Sequence, residues 1–342
     1  MSVSLKTIAQ ELGVSVSTVS RVVNGKDRVD GNTRKRVEAA LKAHDYQPNQ
    51  MARTLRGKSS RTFGVLVSDI SNLLFSRLIK GVEQAAMDRG YDVIVVNTDG
   101  DPGRVKRGVS LLLAKQVSGI IMASGGFDQQ VEKKVREQGI PLVFIDTTPV
   151  RAGNFSSVSI DNVLAAEELT KLLIENGHSK IAVLAGPQNE STSIGRLRGF
   201  QKALEANGIQ IPGHWIVKGE FGVEAGMAAA QTLLSERMRP TAVIAVSNSL
   251  AYGAMHALRR HGYQVPADIS LASFDVIDDS YLIQPVFTTV NQPVLQYGTE
   301  AVRLCLRQRS QTAKAPYEQM VLPHRLIKGE TVGPVAEESG CR

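Results

Sequence analysis

The chain is poor in cysteine. Its two, Cys305 and Cys341 among 342 residues, cannot build a disulfide framework, and their spacing fits no metal-binding pattern. No run of about 18 apolar residues occurs, which excludes an ordinary membrane-spanning helix. The opening residues, Met1 to Gln10, lack the basic-then-apolar layout of a secretory signal. A cytoplasmic protein with no membrane partner is therefore expected. Catalytic signatures are missing as well. There is no Gly-x-Ser-x-Gly elbow, no Gly-x-x-x-x-Gly-Lys-Ser/Thr loop and no His-Glu-x-x-His pair. The six histidines, His44, His178, His214, His256, His261 and His324, are scattered, with no Cys or Asp at a recognisable spacing. No enzyme, metal or cofactor is called for. Low-complexity tracts and short internal periods are absent too, which excludes a solenoid array.

What is present is an uneven charge. The net charge is +7. Residues 1–61 hold twelve Lys and Arg against five Asp and Glu, and the remaining chain is balanced. A solvated surface would spread such an excess, whereas a module that binds a polyanion concentrates it. Hydrophobic residues make up 42% and charged residues 21%, as in a soluble globular protein long enough for two or three domains.

The basic segment reads as short helices. Leu5, Ile8, Ala9 and Leu12 form one apolar face, and Gly13 ends that helix. Ser15 is positioned to cap a second helix from about Val16 to Asn24, with Val19, Val22 and Val23 inward and Val16, Ser17, Ser20 and Arg21 outward. A third helix is expected from about Asn32 to Asp45. Two short helices joined by a tight Gly-containing turn make a helix-turn-helix. The outward row suits base edges: Arg21 for guanine, Ser17 and Ser20 as donors or acceptors, Val16 for a thymine methyl. Lys6, Thr7, Ser15, Thr18 and Asn24 suit phosphates.

From Thr62 onward the texture changes to strand–helix alternation. The expected strands are Phe63–Val67, Val93–Val96, Ile120–Met122 and Leu142–Ile145, and then, in a second round, Ile181–Leu184, Ala242–Val246 and Ile269–Ala272. Such alternation means doubly wound parallel sheets, and two rounds mean two lobes. Ligands in such sheets bind beyond the strand C-terminal ends.

The run Thr7-Ile8-Ala9, Gly13-Val14-Ser15, Thr18 through Gly25, Tyr46-Gln47-Pro48-Asn49 and Ala52-Arg53-Thr54-Leu55 closely resembles the lactose-repressor/galactose-repressor family of bacterial transcription regulators. The resemblance extends over nearly the whole chain. It implies an α/β protein with an N-terminal all-α helix-turn-helix domain and a two-lobed periplasmic-binding-protein-like domain of doubly wound parallel sheets. The implied division is 1–46 for DNA binding, 47–61 for a hinge, 62–330 for effector binding and dimerisation, and 331–342 for a tail. In this family the hinge is a short helix that enters the minor groove of double-stranded operator DNA. Leu55 would then be the apolar wedge, with Asn49, Ala52 and Arg56 beside it. Unstacking a base step costs a few kcal/mol and is offset by contact with the bent duplex.

The resemblance also implies three lobe crossings, near Ser159–Asn162, Thr288–Gln292 and Val321–Pro323. The cleft between the lobes would bind a sugar-like effector through Asp69, Asn72, Phe75, Ser124 and Asp146 of one lobe and Arg196, Phe221, Asn248 and Asp275 of the other. Gly195-Arg196-Leu197-Arg198-Gly199-Phe200 and Ser273-Phe274-Asp275 carry the family's Arg and Asp segments. One departure stands out. Where the family commonly has Asn-Asp, this chain has Asn248-Ser249. A missing carboxylate beside Arg196 favours a sugar acid or sugar phosphate.

The expected function is a homodimeric, nucleoid-associated repressor of carbohydrate genes that binds a pseudo-palindromic site and answers allosterically to its effector. The tail from Gly329 contains no leucine, so no C-terminal leucine bundle is expected. A cytoplasmic sugar-binding protein, or an enzyme on the same scaffold, is the alternative. An enzyme would leave the N-terminal charge unexplained, and the fused helix-turn-helix and the missing secretory signal argue against a sugar-binding receptor.

Overall fold

A computed structural model describes residues 4–23, 29–44, 46, 60–150, 155–276, 286–310 and 316–335. The chain divides into two compact units, 1–60 and 61–342.

The small unit contains α1 (Leu5–Leu12), α2 (Val16–Val23) and α3 (Gly31–Ala43). Each start has a side-chain cap. Ser4 Oγ accepts from the Thr7 amide, Ser15 Oγ from the Thr18 amide, and Asp30 from the amides of Asn32 and Thr33. The bonds to Asp30 from Thr33 and Asn32 hold its carboxyl below the usual range. Gly13 ends α1 at φ 64°, a left-handed conformation that its lack of a Cβ permits. Ile8, Ala9, Val19, Val22, Val37 and Ala40 make the core. Arg36 donates to the Leu12 carbonyl, and His44 meets Glu11 at 2.6 Å, tying α3 back to α1.

The large unit holds two six-stranded sheets. The first lobe runs β1 (Thr62–Val67), α4 (Leu73–Met87), β2 (Asp92–Asn97), α5 (Pro102–Ala114), β3 (Gly119–Ala123), α6 (Gln129–Glu137), β4 (Leu142–Ile145) and β5 (Ser156–Ser159). The second repeats the scheme with α7 (Asn162–Glu175), β6 (Ile181–Gly186), α8 (Ser191–Ala206), β7 (Ile216–Lys218), α9 (Val223–Ser235), β8 (Ala242–Ala245), α10 (Asn248–Arg260), β9 (Ser270–Phe274) and β10 (Thr288–Asn291). The chain returns through α11 (Val294–Ser310) to β11 (Gln319–Val321), then crosses again to β12 (Arg325–Ile327). The strand orders are β11-β5-β4-β3-β1-β2 and β12-β10-β9-β8-β6-β7. The three crossings thus fall where the resemblance implies them. All pairs are parallel except β12 with β10.

The central strands are buried on both faces, which explains their unbroken apolar runs. Helix α11 packs on α4 so closely that a Cβ on Gly298 would lie 2.2 Å from the Val82 nitrogen. Only glycine permits that approach, and it locks the returning helix onto the first lobe. The segment expected to be tail from residue 331 starts as part of the second lobe. The Leu271 amide donates to the Thr331 carbonyl and the Val335 amide to that of Asn176. Buried His178 holds the same segment, with Nε2 3.0 Å from the Gly333 carbonyl. No helix of the described residues is long and apolar enough to cross a membrane.

Candidate functional site

In the small unit, the structure places the outward row as the spacing requires. Val16, Ser17 and Arg21 are exposed along α2, Thr18 and Ser20 are partly so, and Lys6 and Thr7 are exposed on α1. Ser15 Oγ is already engaged: besides its cap it lies 2.7 Å from Ser17 Oγ and 2.8 Å from Thr18 Oγ1. Asn24, Asn49, Ala52, Leu55 and Arg56, with the hinge helix as a whole, lie outside the described residues.

In the large unit, strand ends and helix starts of both lobes line a cleft of about 470 Å³. Eight of the nine residues expected there are on its walls: Asp69, Asn72, Phe75, Asp146, Arg196, Phe221, Asn248 and Asp275. Ser124 is the correction. Its hydroxyl is buried, 2.6 Å from Thr98 Oγ1, and it borders a neighbouring hollow instead of the cleft. Thr98 in turn donates to the Val67 carbonyl, so these hydroxyls tie together the ends of β1 and β3.

The cleft is built around one guanidinium. Arg196, in the first turns of α8, is buried; its Nη2 lies 3.5 Å from Asp275 Oδ2 and 4.0 Å from Asp146 Oδ1. Its Nε donates to Asn162 Oδ1 and its Nη1 to the Val246 carbonyl, and the group lies 4.1 Å from the centroid of the Phe274 ring. The two aspartates occupy matching positions. Asp146 follows β4 and Asp275 follows β9, both left-handed, at φ 64° and 59°. Their amides donate to Val158 and Val290, the corresponding residues of β5 and β10. Such a backbone costs of order 1–3 kcal/mol and occurs where a side chain must be aimed. Burial pushes the Asp275 carboxyl up to about 6, with Arg196 pulling it down and Asp146 pushing it further up. The Asp146 carboxyl is raised by burial too.

Contacts across the cleft already link the lobes. The amides of Asn72 and Asn248 exchange two hydrogen bonds, at 3.1 and 2.8 Å. Thr147 donates to Glu190 Oε2, and the Thr148 amide to Ser191 Oγ. Phe221 leans over Gly186, where a Cβ would meet its ring at 2.9 Å.

Sequence reasoning missed Asp99, Thr147, Glu190, Thr192, Glu220 and Ser247 on the cleft walls. Several directly follow a strand, so the strand-end rule applied to every strand would have found them. The charges of the same wall speak against the expected anionic effector. Ser249 lines it without charge, but Asp69, Asp99, Asp146, Glu190, Glu220 and Asp275 surround a single cation, Arg196.

A helix-turn-helix unit and a two-lobed binding unit with a polar cleft define a ligand-responsive regulator. Comparison with known proteins gives the family. Residues 4–49 match the family of bacterial regulatory proteins of the lacI type. Residues 60–328 match the periplasmic binding proteins and sugar-binding domain of the LacI family. Catabolite control protein A of Priestia megaterium is 33% identical over 331 residues, covering 95% of this chain and 98% of that one. The ribose operon repressor of Haemophilus influenzae is 32% identical over 336 residues, covering 96% and 98%. A lac repressor dimer bound to operator and the anti-inducer ONPF superposes with a TM-score of 0.84 at 31% identity, covering 97% of this chain and all of that one. The chain belongs to the LacI family: it is a DNA-binding transcriptional regulator with a sugar-binding-type domain, and not an enzyme.

Proposed function

We propose that the protein represses carbohydrate genes as a homodimer on a pseudo-palindromic operator, in the cytoplasm and on the nucleoid, and that a sugar-like effector in the cleft sets its operator affinity. The observation that carries this reading is Arg196 held between the strand-end aspartates of two lobes, in a chain that also bears a helix-turn-helix. One such unit reads only a few base pairs, so pairing by two-fold symmetry is needed to find one site in a genome. Residues 1–46 read DNA, 47–61 connect, and the remaining chain senses. Lys6, Thr7, Ser15, Thr18 and Asn24 hold phosphates, Val16, Ser17, Ser20 and Arg21 meet base edges, and Asn49, Ala52, Leu55 and Arg56 serve the minor groove. The effector can shift operator affinity only by its unequal affinity for two lobe arrangements, typically about 5- to 150-fold.

Fluorescence anisotropy on operator and random DNA tests the reading. Arg21→Ala weakens operator binding by roughly 1–3 kcal/mol and relaxes one base position, whereas Lys6→Ala lowers affinity for all sequences and flattens the salt dependence. Equal losses on both DNAs for both variants would remove Arg21 from base reading. Light scattering that shows a stable monomer would remove the dimer.

A further inference from the structure

The cleft's charge is lopsided in a way that sugar hydroxyls alone do not balance. Of its six carboxylates, Asp146 and Asp275 share Arg196, and Asp99 pairs with Arg104. Asp69 folds back on Ser71, accepting from its amide and hydroxyl. Glu190 and Glu220 have no ion-pair partner among the described residues.

Glu190 is the telling one. It occupies the N-cap of α8, yet its carboxylate makes no capping bond to that helix. A cap there would ordinarily satisfy a free amide. Instead the side chain reaches to the other lobe, where Thr147 donates to Oε2 and Oε1 lies against the bare backbone of Gly125. A Cβ at Gly125 would fall 1.7 Å from Oε1. Burial raises the Glu190 carboxyl, the bond from Thr147 lowers it, and the negative Asp146 and Glu220 raise it. Two aspartates that line the same cleft carry a second feature. Asp275 Oδ1 is buried without a hydrogen-bond partner, and so is Asp146 Oδ1. Buried acceptors of this kind are satisfied in native proteins, and a donor-rich ligand would satisfy them here.

We propose that the effector is a polyhydroxylated ligand bearing a protonated amine, of the amino-sugar class, whose ammonium meets Glu190 and Glu220 while its hydroxyls donate to Asp275 and Asp146. This rests on the reading of the cleft as the effector site. An ammonium offers three donors and a compact charge, which suits two carboxylates approached from one side. A uronic acid or sugar phosphate would bring a further negative charge to a wall with one cation, already shared.

Calorimetry on the full chain tests it with matched probes: glucosamine, glucose and glucuronate, and the same trio with the galactose skeleton. The amine of one trio should bind at least about ten-fold tighter than its neutral counterpart, with the advantage shrinking as salt rises, and the acid should bind weakest. Glu190→Gln and Glu220→Gln should each reduce the gap between amine and neutral sugar. Neither removes a capping bond or a core contact, so folding should be retained. A neutral or acidic sugar binding as tightly as the amine, an unchanged gap in both variants, or silence from all six probes overturns the proposal. Arg196→Ala separates this from failure of the cleft reading. If a probe binds that variant as tightly as it binds the parent, the site itself lies elsewhere.

Discussion

The two lobes follow one scheme, with the same strand order and a left-handed aspartate after the fourth strand of each round, but they finish that aspartate differently. In the second lobe Asp275 accepts from Gln292 at 2.8 Å, and Gln292 accepts from Tyr297 at 2.6 Å. In the first lobe the position matching Gln292 is Ile160, two residues beyond Val158 as Gln292 is beyond Val290. Ile160 is buried and apolar and offers Asp146 nothing, so the groups that act on Asp146 come from the second lobe: Arg196, at 4.0 Å, and Gln292. One aspartate is fixed by its own lobe, and the other depends on a cation and an amide brought by the opposite lobe. Symmetric scaffolding has produced an asymmetric clamp. The second lobe carries the bound charge network, and the aspartate of the first is held from across the cleft.

Removing the shared cation should break the comparison most severely. Arg196→Met leaves both aspartates buried without compensation, and should lower unfolding free energy by about 3–5 kcal/mol in urea melts. A loss below about 1 kcal/mol would mean the charges are solvated when the cation goes.

Next comes pH. Because the folded Asp275 carboxyl is raised to about 6, its contribution to stability is fully present below the unfolded value near 4 and is lost as pH rises through 6. Asp275→Asn should therefore gain on the parent by about 2–3 kcal/mol between pH 4 and 7. Paired denaturation curves across that range measure it, and a constant difference would show that Arg196 fully offsets the burial.

A smaller effect is expected at the Tyr297–Gln292 link, which fastens the returning helix of the first lobe to the aspartate of the second. Tyr297→Phe should cost about 1 kcal/mol through the lost hydrogen bond and an unsatisfied amide oxygen. It should also weaken the advantage of Asp275 over Asp146 in ligand titrations of Asp→Asn variants. Equal sensitivity of the two aspartates in both backgrounds would dissolve the asymmetry.

Smallest is the bridge between Asn72 and Asn248. Asn248 is buried and Asn72 half-buried, but each amide oxygen also accepts from a backbone amide at its own helix start, so a double-mutant cycle with Asn72→Ala and Asn248→Ala should give a coupling of about 0.5 kcal/mol in thermal unfolding. Strict additivity would show that the amides touch without holding the lobes.

Local grammar made much of this legible from the chain alone. The α1–Gly13–α2 unit depends on contacts within a few turns, and its caps, its breaker and its apolar face are written at short spacing. The strands announced themselves because parallel strands covered on both faces must be apolar throughout. The three-residue edge strands β7, β11 and β12 did not, nor did β5 and β10, which are buried but made largely of Ser and Thr. Arg196 and Asp275 came to light through family segments, and Asp146 through its place after a strand of the expected lobe.

The tertiary structure alone decided which polar groups meet. Glu190 reads as an ordinary helix-start acid until the opposite lobe brings Thr147 and Gly125 to it. Ser124 reads as a strand-end ligand until Thr98 arrives from another strand and takes its hydroxyl. The loss of an acid at Ser249 read as a gain for anions because a local pattern shows one residue at a time. A cleft's potential sums over every carboxylate that folding gathers, and those came from strand ends and helix starts up to about two hundred residues apart in the chain, a distance over which sequence spacing carries no information about contact.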